Sequence, residues 1–136
     1  MLSVESEKKL SQCHSLLQAV IRHAAREMDM NVSCGHREQD EQDAAFTSGK
    51  SKVQWPNGKH NSLPSLAVDV QPLINGKIIW GNTPREMFQI GYMSGRIMQA
   101  AKDMDVKVRW GADWDGDIDT IETDFLDSFH FELVKP

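Results

Sequence analysis

With 136 residues, 40% of them hydrophobic and 26% charged, the chain is long enough for a single domain with a real core and has the composition of a soluble globular protein. A net charge of −5 with no run of five or more basic residues argues against nucleic acid as the main partner. No apolar stretch approaches the ~18 residues of a membrane span. The N-terminal MLSVESEKKL lacks the basic start and apolar block of a secretory signal, so synthesis in the cytoplasm is expected. Cys13 and Cys34 make no disulfide framework and no C-x-x-C pair, and read as reduced, partly buried thiols.

The spacing predicts a helix over 6–29, because Leu10, Leu17, Val20, Ile21, Ala24 and Met28 recur at three- and four-residue steps. His14 and His23 lie nine residues apart on it, so they face away from each other and cannot share a metal. A short strand over 31–35 follows, and the polar stretch 38–42 can start a helix. Residues 43–59 read as a loop punctuated by Gly49, Pro56 and Gly58, with Trp55 to bury and a basic rim of Lys50, Lys52 and Lys59.

His60 and Asp69 are nine residues apart. On one uninterrupted strand that odd spacing would put them on opposite faces. Pro64, with Asn61 and Ser62, interrupts the segment and resets the phase. Beyond it Leu66, Val68 and Val70 alternate with Ala67, Asp69 and Gln71, a strand with one apolar face. Residues 72–80 read as a hairpin about Asn75-Gly76. Thr83 caps a second helix, with Pro84 at its first position and Glu86 as N3. Its buried stripe is Met87, Ile90, Ser94, Ile97, Met98 and Ala101, and the small Gly91, Ser94 and Gly95 predict a closely packed neighbour. The helix is expected to end near Asp103.

Residues 106–110 alternate as a strand and lead into GADWDGDID. Its acids Asp113, Asp115, Asp117 and Asp119 resemble part of a calcium loop. The glycine order and flanking helices of an EF-hand are missing, so a solvated acidic loop is preferred to a Ca²⁺ site. Near the end, Asp127 and His130 are three apart and project to one side of a tight turn. His130, Glu132 and Val134 then share one strand face, with Phe131 and Leu133 on the other. Glu132 reads as either a support for a ligand or an ordinary strand residue.

His60, Asp69 and His130 supply two imidazoles and a carboxylate, a zinc ligand set that leaves a fourth position to water. Taken as a lone pair, His60 and Asp69 would be a loop histidine and an aspartate closing an edge strand. Arg37 taken alone would be a surface arginine pairing with Glu38 or Asp40.

The same residues carry a family resemblance. The pattern Ser-x-His-x-x-Gly-x-Ala-x-Asp, followed late in the chain by an acidic residue, two residues and His, marks the zinc D-Ala-D-Ala carboxypeptidases and phage endolysins. Here Gly58 stands where the Ser is usual, His60 and Asp69 are nine rather than seven apart, and Ser65 takes the Gly position. Ala67, Asp69, Asp127 and His130 match. Cys34-Gly35-His36-Arg37 with Gln42, the stretch at 74–78 and Arg109-Trp110-Gly111-Ala112-Asp113-Trp114 extend the likeness over roughly 30–134. The closest branch is the phage L-alanyl-D-glutamate endopeptidases.

The resemblance implies an α+β fold, a small antiparallel sheet with two main helices packed mostly on one side. It implies a single catalytic peptidase domain, 1–136, that binds Zn²⁺ through His60, Asp69 and His130 and cuts the L-Ala–D-Glu bond of the peptidoglycan stem peptide. Asp127 would take a proton from water and pass it to the leaving amine. Arg37 would hold the carbonyl oxygen or a substrate carboxylate, and Trp114 would line the substrate groove. Such an enzyme is expected to be a monomer that is released from the host cytoplasm to reach the cell wall. The alternatives are D-Ala-D-Ala cleavage on the same fold, a non-catalytic metal- or wall-binding domain, and a structural virion protein.

Overall fold

The computed structural model describes residues 2–113, 116 and 127–134. Four helices, α1 (Val4–Leu10), α2 (Ser15–Ala24), α3 (Gln39–Thr47) and α4 (Pro84–Asp103), join five strands, β1 (Met30–Cys34), β2 (Ala67–Ile74), β3 (Lys77–Ile78), β4 (Val108–Trp110) and β5 (His130–Leu133). The sheet is antiparallel with order β1-β2-β5-β4, and β3 pairs with β2. The α+β expectation holds.

The stretch expected as one helix over 6–29 is two. Ser3 caps α1, its side chain accepting from the Ser6 amide, and His14 caps α2 by accepting from the Leu16 amide. Between them the backbone leaves the helix to pair with a distant residue. The His14 amide donates to the Ser65 carbonyl at 2.8 Å, and the Ser65 amide donates to Gln12 at 2.8 Å. The second helix stops at Ala24 rather than near residue 29. The loop expected over 43–59 begins late, because α3 continues to Thr47 behind a capping box between Glu38 and Glu41.

Helix α4 starts at Thr83 and Pro84 and ends at Asp103 as expected. Its buried face is Ile90, Met93, Ser94, Ile97, Ala100 and Ala101, whereas Met87 is 44% exposed. Of the three small residues expected to meet a close neighbour, Ser94 is fully buried, but among the described residues a Cβ on Gly91 or Gly95 would meet nothing within 4 Å. The α2–α4 packing uses the adjoining Ala and Ile positions instead. The hairpin turn is as expected, with Asn75 at φ 51° and Gly76 at φ 78°. That is the left-handed pair a two-residue turn requires.

Val68 and Val70 of β2 and Phe131 and Leu133 of β5 sit in one core with Leu17, Ile21, Met93 and Ile97. Each such side chain contributes about 1.5–3 kcal/mol on burial. Alternation puts Asp69, His130 and Glu132 on the opposite face. A slip of one residue would drive a carboxylate and an imidazole into that core, so the register is strongly specified. In it Asp69 lies directly across from His130.

Candidate metal centre

The excursion from His60 to β2 closes on itself. The Leu66 amide donates to the Lys59 carbonyl at 2.9 Å, and the Ser65 hydroxyl donates to the Ala67 carbonyl at 2.7 Å. His60 is thereby returned to the face that carries Asp69, which answers the odd spacing of the two residues. A bulge between Val32 and Cys34 brings Cys34 opposite Asp69 as well. The Arg37 amide donates to the His60 carbonyl at 2.7 Å.

Each imidazole is anchored by one nitrogen and turns the other toward Asp69. His60 donates from Nδ1 to the Gly35 carbonyl at 2.7 Å, and its Nε2 lies 3.2 Å from Asp69 Oδ1. His130 Nε2 meets Glu132 Oε1 at 2.8 Å, and its Nδ1 lies 3.4 Å from the same Asp69 oxygen. An outer acceptor that fixes tautomer and ring orientation is the usual support of a metal-binding histidine.

The two spacings between imidazole and Asp69 also fit a metal. Zinc bonds of about 2.0–2.1 Å in a tetrahedron place neighbouring ligand atoms roughly 3.3 Å apart, and the two Asp69 contacts bracket that value. Asp127 Oδ2 stands farther off, 3.9 Å from His130 Nδ1. Among the described residues two groups of donors are close enough to hold a metal ion, Asp69 with Asp127 and His130, and Cys34 with His60 and Asp69; Asp69 is common to both, and neither contains both imidazoles. Cys34 Sγ reaches the anchored Nδ1 of His60, at 3.7 Å, rather than the nitrogen facing Asp69. Both cysteines are free thiols, as expected.

Three of the groups are almost wholly buried, with His60 at 3%, Asp69 at 8% and His130 at 8% exposure. Burial lowers the His60 imidazole, but the Asp69 carboxylate and then Cys34 outweigh it and push it up to about 10. Burial likewise opposes charge on Asp69, yet His60 and His130 hold it well below the usual carboxylate range. For His130, bonds to Asp69 and Glu132 overcome burial and raise it. Asp127 goes the other way from Asp69: burial, then the Asp69 charge, raise it against the pull of His130, His60 and Arg37. Two neighbouring carboxyls with affinities driven apart are suited to different tasks, one to ligation and one to proton transfer.

Arg37 points into the site, Nη2 lying 3.6 Å from Asp69 Oδ2. The buried Gln42 accepts from Arg37 Nη1 at 3.0 Å, and Asn61 donates to Gln42 at 3.1 Å and to the Arg37 carbonyl at 3.2 Å. His36 faces away, toward the Ser62 carbonyl and Glu38, as expected, although His36 and Arg37 both lie beyond the end of β1 rather than on a strand. Thus His60, Asp69, His130, Asp127 and Arg37 all meet. Trp114 and the acids Asp115, Asp117 and Asp119 lie outside the described residues, which leaves only Asp113 of the acidic loop's four.

The sequence did not single out four neighbours. Glu132 stayed undecided, although its place two residues after His130 on a strand puts both on one face. Lys59 was read only as part of a basic rim, and Arg109 only within a family stretch. Gly111 was not marked as necessary: a Cβ there would come within 2.1 Å of the Asp127 carbonyl oxygen.

Residues 1–134 match the family described as phage L-alanyl-D-glutamate peptidase. The chain belongs to that family. It is 34% identical over 134 residues to the L-alanyl-D-glutamate peptidase of Escherichia phage T5, covering 95% of this chain and 94% of that protein. Its fold superposes on the crystal structure of the L-Ala D-Glu endopeptidase ChiX of Serratia marcescens with a TM-score of 0.73 and 26% identity, over 98% of this chain and 90% of the other.

Proposed function

We infer that this protein is a peptidoglycan peptidase that hydrolyses the L-Ala–D-Glu bond of the stem peptide, using Zn²⁺ held by His60, Asp69 and His130. The observation that carries the reading is the pair of imidazoles anchored at their outer nitrogens and converging on one Asp69 oxygen, in a chain of this family. When bound, the ion supplies Lewis-acid chemistry at the scissile carbonyl and activates water.

The chain's own groups do the rest. Asp127, raised by burial and by Asp69, accepts the proton of the attacking water and returns it to the leaving amine. Arg37, held by Gln42, donates to the carbonyl oxygen as charge develops on it. Gly35 and Glu132 keep the two imidazoles in orientation. Among the described residues no helix is long and apolar enough to cross a membrane. We place the site of action at the cell wall, reached after release from the host cytoplasm.

Replacement of the proton carrier and of a ligand tests the assignment. Asp127→Ala should bind one zinc and lose nearly all turnover, whereas His130→Ala should lose both. Turnover retained in Asp127→Ala would remove the proposed base, and stoichiometric zinc in His130→Ala would remove the proposed ligand set.

A further inference from the structure

Two cavities meet at the candidate metal centre. One, of about 460 Å³, is lined by Arg37, Lys50, Lys52, Lys59 and Arg109. Five cations face three carboxylates there, in a chain whose net charge is −5. The other, of about 640 Å³, shares part of that charged lining and adds Ala44, Ala45, Trp80 and Phe129, with Glu41 as its one further charge. Trp80 and Phe129 pack edge to face at 5.7 Å. Arg37, Lys50, Asp69 and Asp127 border both cavities, so the two are arms of one cleft that crosses the reacting position.

Two cations of the basic arm, Arg109 and Lys59, converge on one residue of the sheet. Arg109 of β4 lies directly across from Glu132 of β5. Arg109 Nη1 and Lys59 Nζ stand 3.7 Å and 3.5 Å from Glu132 Oε2. Those are ion-pair distances rather than hydrogen bonds. Lys59 gives one donor to the Leu133 carbonyl, and the side chains keep 34% and 40% of their surface exposed. Glu132 spends its other oxygen on His130. Two positioned cations thus share one carboxylate and line the cleft, a geometry that accepts a second carboxylate.

The basic arm alone carries Lys52, Lys59 and Arg109, and the other arm alone carries Ala44, Ala45, Trp80 and Phe129, and the two sides of the scissile bond differ too. L-Ala offers a methyl group. D-Glu keeps one carboxylate free after the other is joined to the rest of the stem. We propose that Arg109 and Lys59 form the subsite for the free carboxylate of D-Glu, and that L-Ala lies in the arm lined by Ala44, Ala45, Trp80 and Phe129, which fixes the direction in which the stem crosses the site. The assignment rests on the L-Ala–D-Glu reading above. It makes Arg109 and Lys59 specificity residues: they recognise the leaving half of the substrate rather than its carbonyl.

A pair of N-acylated L-alanyl-γ-D-glutamyl-L-lysine peptides, one with the free α-carboxylate and one with the α-carboxamide, separates the possibilities. The zinc-loaded wild-type protein should favour the carboxylate in kcat/KM by about tenfold or more, the scale of one charge-assisted bond. In Arg109→Gln and Lys59→Gln the ratio of the carboxylate rate to the carboxamide rate should fall toward one, with one zinc still bound per chain to report that the fold and the metal site are intact. Trp80→Ala, on the other arm, should slow both peptides and leave their ratio unchanged. Equal rates for the two peptides in the wild type would overturn the proposal. So would loss of both rates together in Arg109→Gln, which would make that residue a support for Glu132 only. If the wild type cleaves neither peptide yet releases D-Ala from a D-Ala-D-Ala peptide, the L-Ala–D-Glu reading itself fails and the subsite goes with it.

Discussion

Glu132 and His130 point the same way from one strand, and their side chains meet: Glu132 Oε1 lies 2.8 Å from His130 Nε2. This contact determines which nitrogen His130 turns to Asp69. Glu132→Gln keeps the shape and an acceptor oxygen but removes the charge. Loss of such an outer partner typically weakens metal binding by about 10–100-fold. Competition against a chromogenic chelator should show a drop of that size, and wild-type affinity would show that the contact does not tune the site.

Gly111 is needed because the Asp127 backbone passes against it. The Asp127 amide donates to the Gly111 carbonyl at 3.0 Å and the Gly111 amide donates to His130 at 2.8 Å. A Cβ at Gly111 would strike the Asp127 carbonyl at 2.1 Å and crowd His130 Cβ at 3.0 Å. Overpacking of this kind costs about 1–3 kcal/mol, and a displacement of about 1 Å at a reacting group can cost on the order of 100-fold in rate. Gly111→Ala should therefore melt earlier and lose most of its kcat. An Ala variant with wild-type melting and turnover would contradict the account.

Gln42 holds the arginine. It accepts from Arg37 and from Asn61, and donates to Ser51 Oγ at 3.0 Å and to the Val53 carbonyl at 2.5 Å. Gln42→Leu leaves the metal ligands untouched and frees Arg37 to move. A fall in kcat/KM of about tenfold or more, with zinc affinity unchanged, is expected from steady-state kinetics and metal titration. Equal kinetics would show that Arg37 does not need this brace.

The metal-free protein should lose stability as pH rises. His60 folds into a site that pushes its pKa from 6.5 to about 10, against burial, because Asp69 favours the charged ring. A raised folded pKa adds stability that is complete below the unfolded value and is lost as pH rises through the folded one. His130 is raised as well and adds in the same direction. Burial pushes the Cys13 thiol from 9.0 up to about 12, so its effect begins only above pH 9. Urea unfolding of chelator-treated protein at about pH 6 and about pH 8.5 should differ by roughly 2 kcal/mol, lower at the higher pH. Zinc binds deprotonated imidazole, so its added stabilisation should grow over the same interval. A metal-free protein equally stable at both values would contradict the ion-paired site.

What could be read from the sequence was whatever depends on neighbours along the chain. The alternation around Val68 and Val70, the Asn75-Gly76 turn and the Thr83, Pro84 and Glu86 cap are local signals, and they placed the strand, hairpin and helix correctly. The break between Leu10 and Ser15 was not legible, because its cause is pairing with Ser65. The extent of α3 was hidden by its polarity, since it buries only Gln42 and Ala45. Of the candidate site, the convergence of His60, Asp69, His130 and Asp127 was legible through their pattern. Lys59 and Arg109 acquire meaning only once β4 and β5 bring Arg109 opposite Glu132, and no spacing encodes that.

Digestion of purified peptidoglycan with the zinc-loaded protein, with and without a strong chelator and read by mass spectrometry, bears most directly on the central claim. The account predicts stem peptides that begin at D-Glu, with their release abolished by the chelator and restored by zinc. Release of terminal D-Ala alone, or fragments that persist undiminished in chelator, would contradict it.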